Sequence, residues 1–176
     1  MLATLILRLR GLDVYTVARS PKPCRKAEIA EGFGARYVST RETPLAQLVR
    51  QVGKPDLIIE ATGSSAVAFE AMEIIGHNGV VVWTSITGGQ RSLELPADKI
   101  NLSWVLGNKL LVGSVNANFR HFEMGIADLA LGEMTFPGVI ERILTNPVDG
   151  LENYHEMMRL LMEEQVLKVF VNVAEA

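Results

Sequence analysis

The residues best placed to do chemistry lie in the stretch DVYTVARSPKPCRK, residues 13–26, where a run of β-branched residues stops in a basic turn. Such a turn reads an anion. At the end of the second strand of a doubly wound α/β fold, an acidic side chain bonds a free ribose diol, whereas an arginine accepts a 2′-phosphate. Here Ala18 holds that position, followed by Arg19 and Ser20, with Lys22 and Arg25 close behind. If residues 14–17 form such a strand, the preferred ligand is NADP, with NAD second. A bidentate contact from Arg19 to phosphate is worth about 1.5–3 kcal/mol, a discrimination of about 10- to 100-fold. The plainer reading of the same residues is a solvated loop.

The elements around this turn have to come from one domain of ordinary size. The chain has 176 residues, 48% of them hydrophobic, enough to bury a core. Its 17 basic and 20 acidic residues are interspersed and give a net charge of −3, which argues against nucleic acid or a membrane surface as the partner. With Cys24 as the single cysteine, no intrachain disulfide forms, and a reducing, cytoplasmic location is expected. His77, His121 and His155 are far apart in the sequence, so no Cys/His/Glu metal set is assembled from this chain.

Leu2, Leu5, Ile6 and Leu9 recur at helical spacing and Gly11 ends the segment, which reads as a helix and not a targeting signal. Beginning at residue 1 without a cap, it reads as a start in the middle of a unit. Then come the strand at residues 14–17, a helix over 24–33 closed by Gly34, a short strand over 35–38 and a helix over 44–52. The apolar run DLIIEATG, residues 56–63, predicts a strand covered on both faces, with Ser64 and Ser65 capping a helix over 66–75. GVVVWTS, residues 79–85, predicts another buried strand before the flexible turn Thr87, Gly88 and Gly89; Trp83 and Trp104 read as core. A helix over 96–106, a strand over 109–113 and the polar loop SVNAN, residues 114–118, come next. Residues 119–131 read as a helix burying Phe122, Ile126, Leu129 and Ala130, with a loop over 132–138. Residues 139–144 stay unassigned, and the chain closes with a helix over 151–164 and a strand over 166–173. Alternating helices and strands signal a parallel α/β sheet.

In order, GLDVYTVARS, GFGARYV, DLIIEATG and GHNGVVVWTSITGG resemble the nucleotide-binding half of the zinc-type medium-chain dehydrogenases. NKLLVGSVNANFRHF and GVIERILTNPVDGLENYHEMM narrow the likeness to the glucose dehydrogenase branch, and the likeness covers essentially the whole chain. The resemblance implies a doubly wound Rossmann-like fold lacking the usual first strand and Gly-rich turn, which seats the pyrophosphate. It implies a truncated dinucleotide-binding domain over residues 1–145, and over 146–176 a terminal helix and strand that return to a catalytic domain. Zinc is expected in the intact family but not on this chain.

Carried over residue by residue, the resemblance places Ala18, Arg19 and Ser20 at the adenosine ribose or its phosphate, with Lys22 and Arg25 in reserve. Thr62 and Gly63 fall on the adenosine side of the crevice. Ile86, Thr87 and Gly88 approach the nicotinamide, Ser114, Val115 and Asn116 hold its carboxamide, and Asn118 reaches a sugar hydroxyl. No catalytic residue is assigned. The Thr62–Gly63 turn has a plainer role in leading the strand into its helix, and Asn116 and Asn118 could equally cap their loop.

In the family the chemistry implied is hydride transfer from C1 of an aldose to the nicotinamide, with zinc polarising the hydroxyl. This chain is then the NAD(P)-binding, carboxy-terminal part of a glucose 1-dehydrogenase-like oxidoreductase, inactive alone. The missing first strand leaves a gap to be closed by a partner subunit, by repacking or by a separate chain. Leu161, Val166, Val169, Phe170 and Val171 would face a partner, so a homodimer or a missing catalytic half is expected. The alternatives are a stand-alone nucleotide-binding or regulatory module, a purely structural protein, or a methyltransferase, which Ala18 and Arg19 disfavour for want of an acidic ribose ligand.

Overall fold

A computed structural model describes residues 1–162 and 166–173. In chain order its elements are α1 (Leu2–Leu9), β1 (Tyr15–Ala18), α2 (Arg25–Gly32), β2 (Arg36–Ser39), α3 (Leu45–Val52), β3 (Leu57–Glu60) and α4 (Ser65–Ile74). They continue with β4 (Val80–Trp83), α5 (Ala97–Leu106), β5 (Leu110–Gly113), α6 (Phe119–Thr135), β6 (Asn146–Asp149), α7 (Tyr154–Leu161) and β7 (Val169–Asn172). The chain is mixed α/β, and its strand pairs are all parallel among the described residues. Two compact units result, one built from Met1–Ser39 and the chain from Phe119 onward, the other from Thr40–Asn118.

In the first unit β1 pairs with β2, Ala18 opposite Ser39, and β6 pairs with β7, Asn146 opposite Val169. In the second unit β4 lies between β3 and β5, with Trp83 opposite both Glu60 and Gly113. No pairing joins β1 to β3 among the described residues.

Helix ends follow local chemistry. Gly11 and Gly34, at φ +77° and +72°, close α1 and α2 in the same way: Gly34 N–H donates to Glu31 O, and Ala35 N–H to Ala30 O. That double bond is the Schellman motif, which needs a left-handed residue just past the helix. Inside the first unit Leu5, Ile29, Phe33, Val139 and Ile143 form the core, and Phe33 meets Phe136 edge to face at 5.6 Å. In the second unit Ala71, Ile75 and Val81 form a smaller core, against which Trp83 and Trp104 pack.

Several expectations need correction. α6 runs on to Thr135, so most of the expected loop over 132–138 is helix. Its apolar stripe is not buried either: Phe122 and Ile126 are 64% and 69% exposed, and Leu129 and Ala130 are exposed too. The helix instead turns Asp128 and Gly132 inward, and Arg10 bonds both Asp128 carboxylate oxygens at 3.0 Å. Gly132 allows the approach to α1, because a methyl there would sit 2.9 Å from Leu5 Cδ1. Ser64 occupies the N-cap of α4 without a side-chain bond; its amide donates to Thr62 Oγ1 at 3.1 Å. The closing helix begins as a 3-10 turn, Leu151–Asn153, and its expected end at residues 163–164 lies outside the described residues. Finally, residues 139–144 contain a 3-10 turn, Glu141–Ile143, and β6 was not anticipated, since Pro147 discourages a strand assignment.

Candidate functional site

In the first unit β1 ends at Ala18, and the chain turns through Arg19 and Ser20. Two side chains from the neighbouring β2 hold this turn by its carbonyls: Ser39 Oγ donates to Arg19 O at 3.1 Å, and the Tyr37 hydroxyl donates to Ser20 O at 2.8 Å. Positions 37 and 39 share one face of a strand, and both are buried. The Arg19 side chain is exposed, with no side-chain partner among the described residues. The two reserve cations are occupied. Lys22 pairs with Glu31, and Arg25 Nε donates to Arg142 O at 3.3 Å. Of these three basic residues, Lys22 is ion-paired and Arg25 gives one N–H to a carbonyl, whereas Arg19 has no side-chain partner among the described residues.

In the second unit the carboxyl ends of β3 and β4 are joined by Glu60, which sequence reading did not single out. Its side chain is only 4% exposed. Oε1 accepts from both the amide and the hydroxyl of Thr62 at 2.6 Å, and Oε2 accepts from the Ser85 hydroxyl at 2.6 Å. Ser85 Oγ in turn accepts the Gly63 amide at 2.9 Å. Burial pushes the Glu60 carboxyl up, but the bonds from Ser85 and Thr62 outweigh it and hold the group below its ordinary range. A carboxylate closing an otherwise apolar strand was the available signal, since a buried charge must find donors.

Thr62 is therefore bonded within the turn, and Gly63 takes the left-handed φ of +68° that the turn needs. Ile86 is 84% exposed, and Thr87 and Gly88 are exposed beside it. Ser114 donates its amide to Trp83 O at 2.9 Å, which places it at the carboxyl end of β5. Val115 is 74% exposed, Asn116 takes a left-handed φ of +67°, and Asn118 is exposed at the start of α6. Thr62–Gly63, Ile86–Gly88 and Ser114–Asn116 thus follow β3, β4 and β5 at the same end of one parallel sheet, where ligands of open α/β sheets are taken. Glu60, Phe69, Trp83, Ser85 and Thr87 line a cavity of about 230 Å³ there. Among the described residues no three His, Cys, Asp or Glu side chains are grouped to hold a metal ion.

A family described as glucose dehydrogenase C-terminus matches residues 1–173. The chain belongs to the glucose dehydrogenase C-terminal family. A glucose 1-dehydrogenase of Methanocella arvoryzae is 39% identical over 169 residues, covering 93% of this chain and 47% of that protein. One from Thermoproteus tenax is 38% identical over 160 residues, covering 89% and 43%. The chain thus spans about half the length of these curated glucose dehydrogenase relatives. Among solved structures, Haloferax mediterranei glucose dehydrogenase in complex with NADP, Zn and gluconolactone superposes with a TM-score of 0.83 at 25% identity, over 99% of this chain and 48% of that one. An alcohol dehydrogenase from Thermotoga maritima, with a TM-score of 0.80 at 21% identity over 97% and 46%, shares the fold. The sequence likeness to the glucose dehydrogenase branch and the Rossmann-type α/β fold are both borne out.

Proposed function

We propose that this chain is the NADP-binding part of an aldose 1-dehydrogenase, with Arg19 reading the 2′-phosphate. The observation that carries the reading is the exposed guanidinium of Arg19, without a side-chain partner among the described residues, on a turn clamped through its backbone by Ser39 and Tyr37. The NADP found with the Haloferax enzyme supports the choice of cofactor. Ala18 and Ser20 flank the phosphate contact, with Lys22, paired with Glu31, and Arg25, which gives its Nε–H to Arg142 O, in reserve. Thr62 and Gly63 line the adenosine side, Ile86, Thr87 and Gly88 offer backbone to the nicotinamide, Ser114, Val115 and Asn116 hold its carboxamide, and Asn118 meets a sugar hydroxyl. Bound, the nicotinamide would accept a hydride from C1 of the sugar.

The donor set for zinc does not fit the described residues, so no metal step is assigned to them. Residues 1–145 serve the cofactor, and residues 146–176 pack with the catalytic part. The exposed row Phe119, Phe122 and Ile126 on α6 is covered in a homodimer or by that catalytic part. A cytoplasmic site of action accords with a single free cysteine and with the absence, among the described residues, of a helix long and apolar enough to cross a membrane.

The test is thermal unfolding of the chain with NADP, NAD and 2′,5′-ADP, because a ligand that binds only the folded state raises its stability by RT ln(1 + [L]/Kd). NADP and 2′,5′-ADP should stabilise the wild type more than NAD does, and Arg19→Ala should weaken the NADP response by about 10- to 100-fold in affinity. Equal responses to NAD and NADP, or none to any nucleotide, would defeat the reading.

A further inference from the structure

We propose that Glu60 is a positioning residue that locks the turn after β3 to the turn after β4, so that both present their backbones to one dinucleotide; this rests on the nucleotide-binding reading above. The two turns, residues 61–64 and 84–88, belong to adjacent strands of the same unit, so one side chain can reach both. Glu60 does so with its two oxygens. Oε1 takes two donors from Thr62, and Oε2 takes Ser85, whose oxygen accepts Gly63 N–H. The Thr84 amide and hydroxyl also donate to the Glu60 carbonyl, at 2.9 and 2.8 Å, so main chain and side chain of one residue grip both ends.

The chemistry favours a carboxylate over any replacement. A buried carboxylate is tolerated only when donors answer its lone pairs, and three answer here, each at the short distance of a charge-assisted bond. A glutamine presents one acceptor oxygen and turns an NH₂ toward either Thr62 or Ser85, so it cannot accept from all three. Glu60 touches no cofactor in this scheme. It acts through Gly63 and the residues after Ser85, whose left-handed or open backbones leave room for a ligand's close approach: Gly88 has nothing within 4 Å of where a Cβ would stand.

The experiment is isothermal titration of NADP and 2′,5′-ADP into wild type, Glu60→Gln and Ser85→Ala, with folding checked by circular dichroism. Ser85→Ala removes the bond to Glu60 Oε2 and the link to Gly63 while leaving the carboxylate its two Thr62 donors, and keeps the proposal testable should Glu60→Gln fail to fold. Both variants should bind NADP about three- to tenfold more weakly. The loss on 2′,5′-ADP should be smaller, because that ligand lacks the nicotinamide end that the second turn receives. Unchanged NADP affinity in folded variants, or equal losses on both ligands, overturns the inference while leaving the nucleotide-binding reading intact. A wild type that binds neither ligand overturns that reading, and this inference with it.

Discussion

The Ser39 hydroxyl donates to the carbonyl oxygen of Arg19 at 3.1 Å, from a buried position on the strand next to the one that Arg19 follows. Two positions earlier on the same face, Tyr37 does the same for Ser20 at 2.8 Å. The basic turn is thus held by its backbone, which leaves the Arg19 side chain outside for a ligand. Pre-setting a turn in this way reduces the ordering entropy that binding would otherwise have to overcome.

Removing the clamp should loosen the turn without touching its charge. Tyr37→Phe and Ser39→Ala each delete one donor, and each should lower stability by about 1 kcal/mol in urea unfolding. The double variant should also lose a few-fold in NADP affinity while its response to NAD stays level, since only NADP relies on the placement of Arg19. A matching loss for NAD would show that the clamp supports the fold alone.

Glu60 gives the chain an acid-sensitive element with a defined sign. Its folded carboxyl sits below the ordinary value, so the stability it contributes is fully present above the unfolded pKa, about 4.3, and is lost as pH falls through the folded pKa. Glu70 works in the opposite direction: burial, then Glu73, hold its carboxyl up, so acid relieves a cost there. Subtracting the Glu60→Gln curve from the wild-type curve isolates the first effect. Urea midpoints between pH 7 and pH 3 should fall more steeply for wild type than for Glu60→Gln; parallel curves would contradict the network.

The outer face of α6 predicts association. Phe119, Phe122 and Ile126, 64–78% exposed, form one row of an otherwise well-formed helix. Sedimentation velocity should find the chain associated at micromolar concentration, and Ile126→Glu should shift it toward monomer with an unchanged helical signal. A wild type that is monomeric at all concentrations would leave the row to the catalytic part instead.

Much of the fold was legible because local rules and tertiary needs agree along most of the chain. Gly11 and Gly34 sit where helices need a left-handed residue, and the runs before Ala18, Glu60, Trp83 and Gly113 carry the apolar and β-branched residues of parallel strands. α6 broke the pattern. Its most apolar face looked inward by periodicity, yet the helix meets α1 and Arg10 through Gly132 and Asp128, where small size and the Arg10 bond decide the approach. Periodicity records which face is apolar, not which partner is present to cover it. β6 was hidden by Pro147, which a strand with an open side tolerates.

The sequence alone determined the class of the fold, the parallel alternation, the family, and the placing of a basic turn just after β1. These depend on residue types in order, which any reader of the chain can see. Tertiary structure alone decided what the cations of that turn meet. Glu31 pairs with Lys22 and the Arg142 carbonyl takes the Arg25 Nε–H, through contacts 9 and 117 residues apart, and no local rule pairs groups at such separations. It also decided that Glu60 bridges two turns, because Ser85 stands 25 residues away in sequence and becomes its neighbour only when β3 and β4 pair.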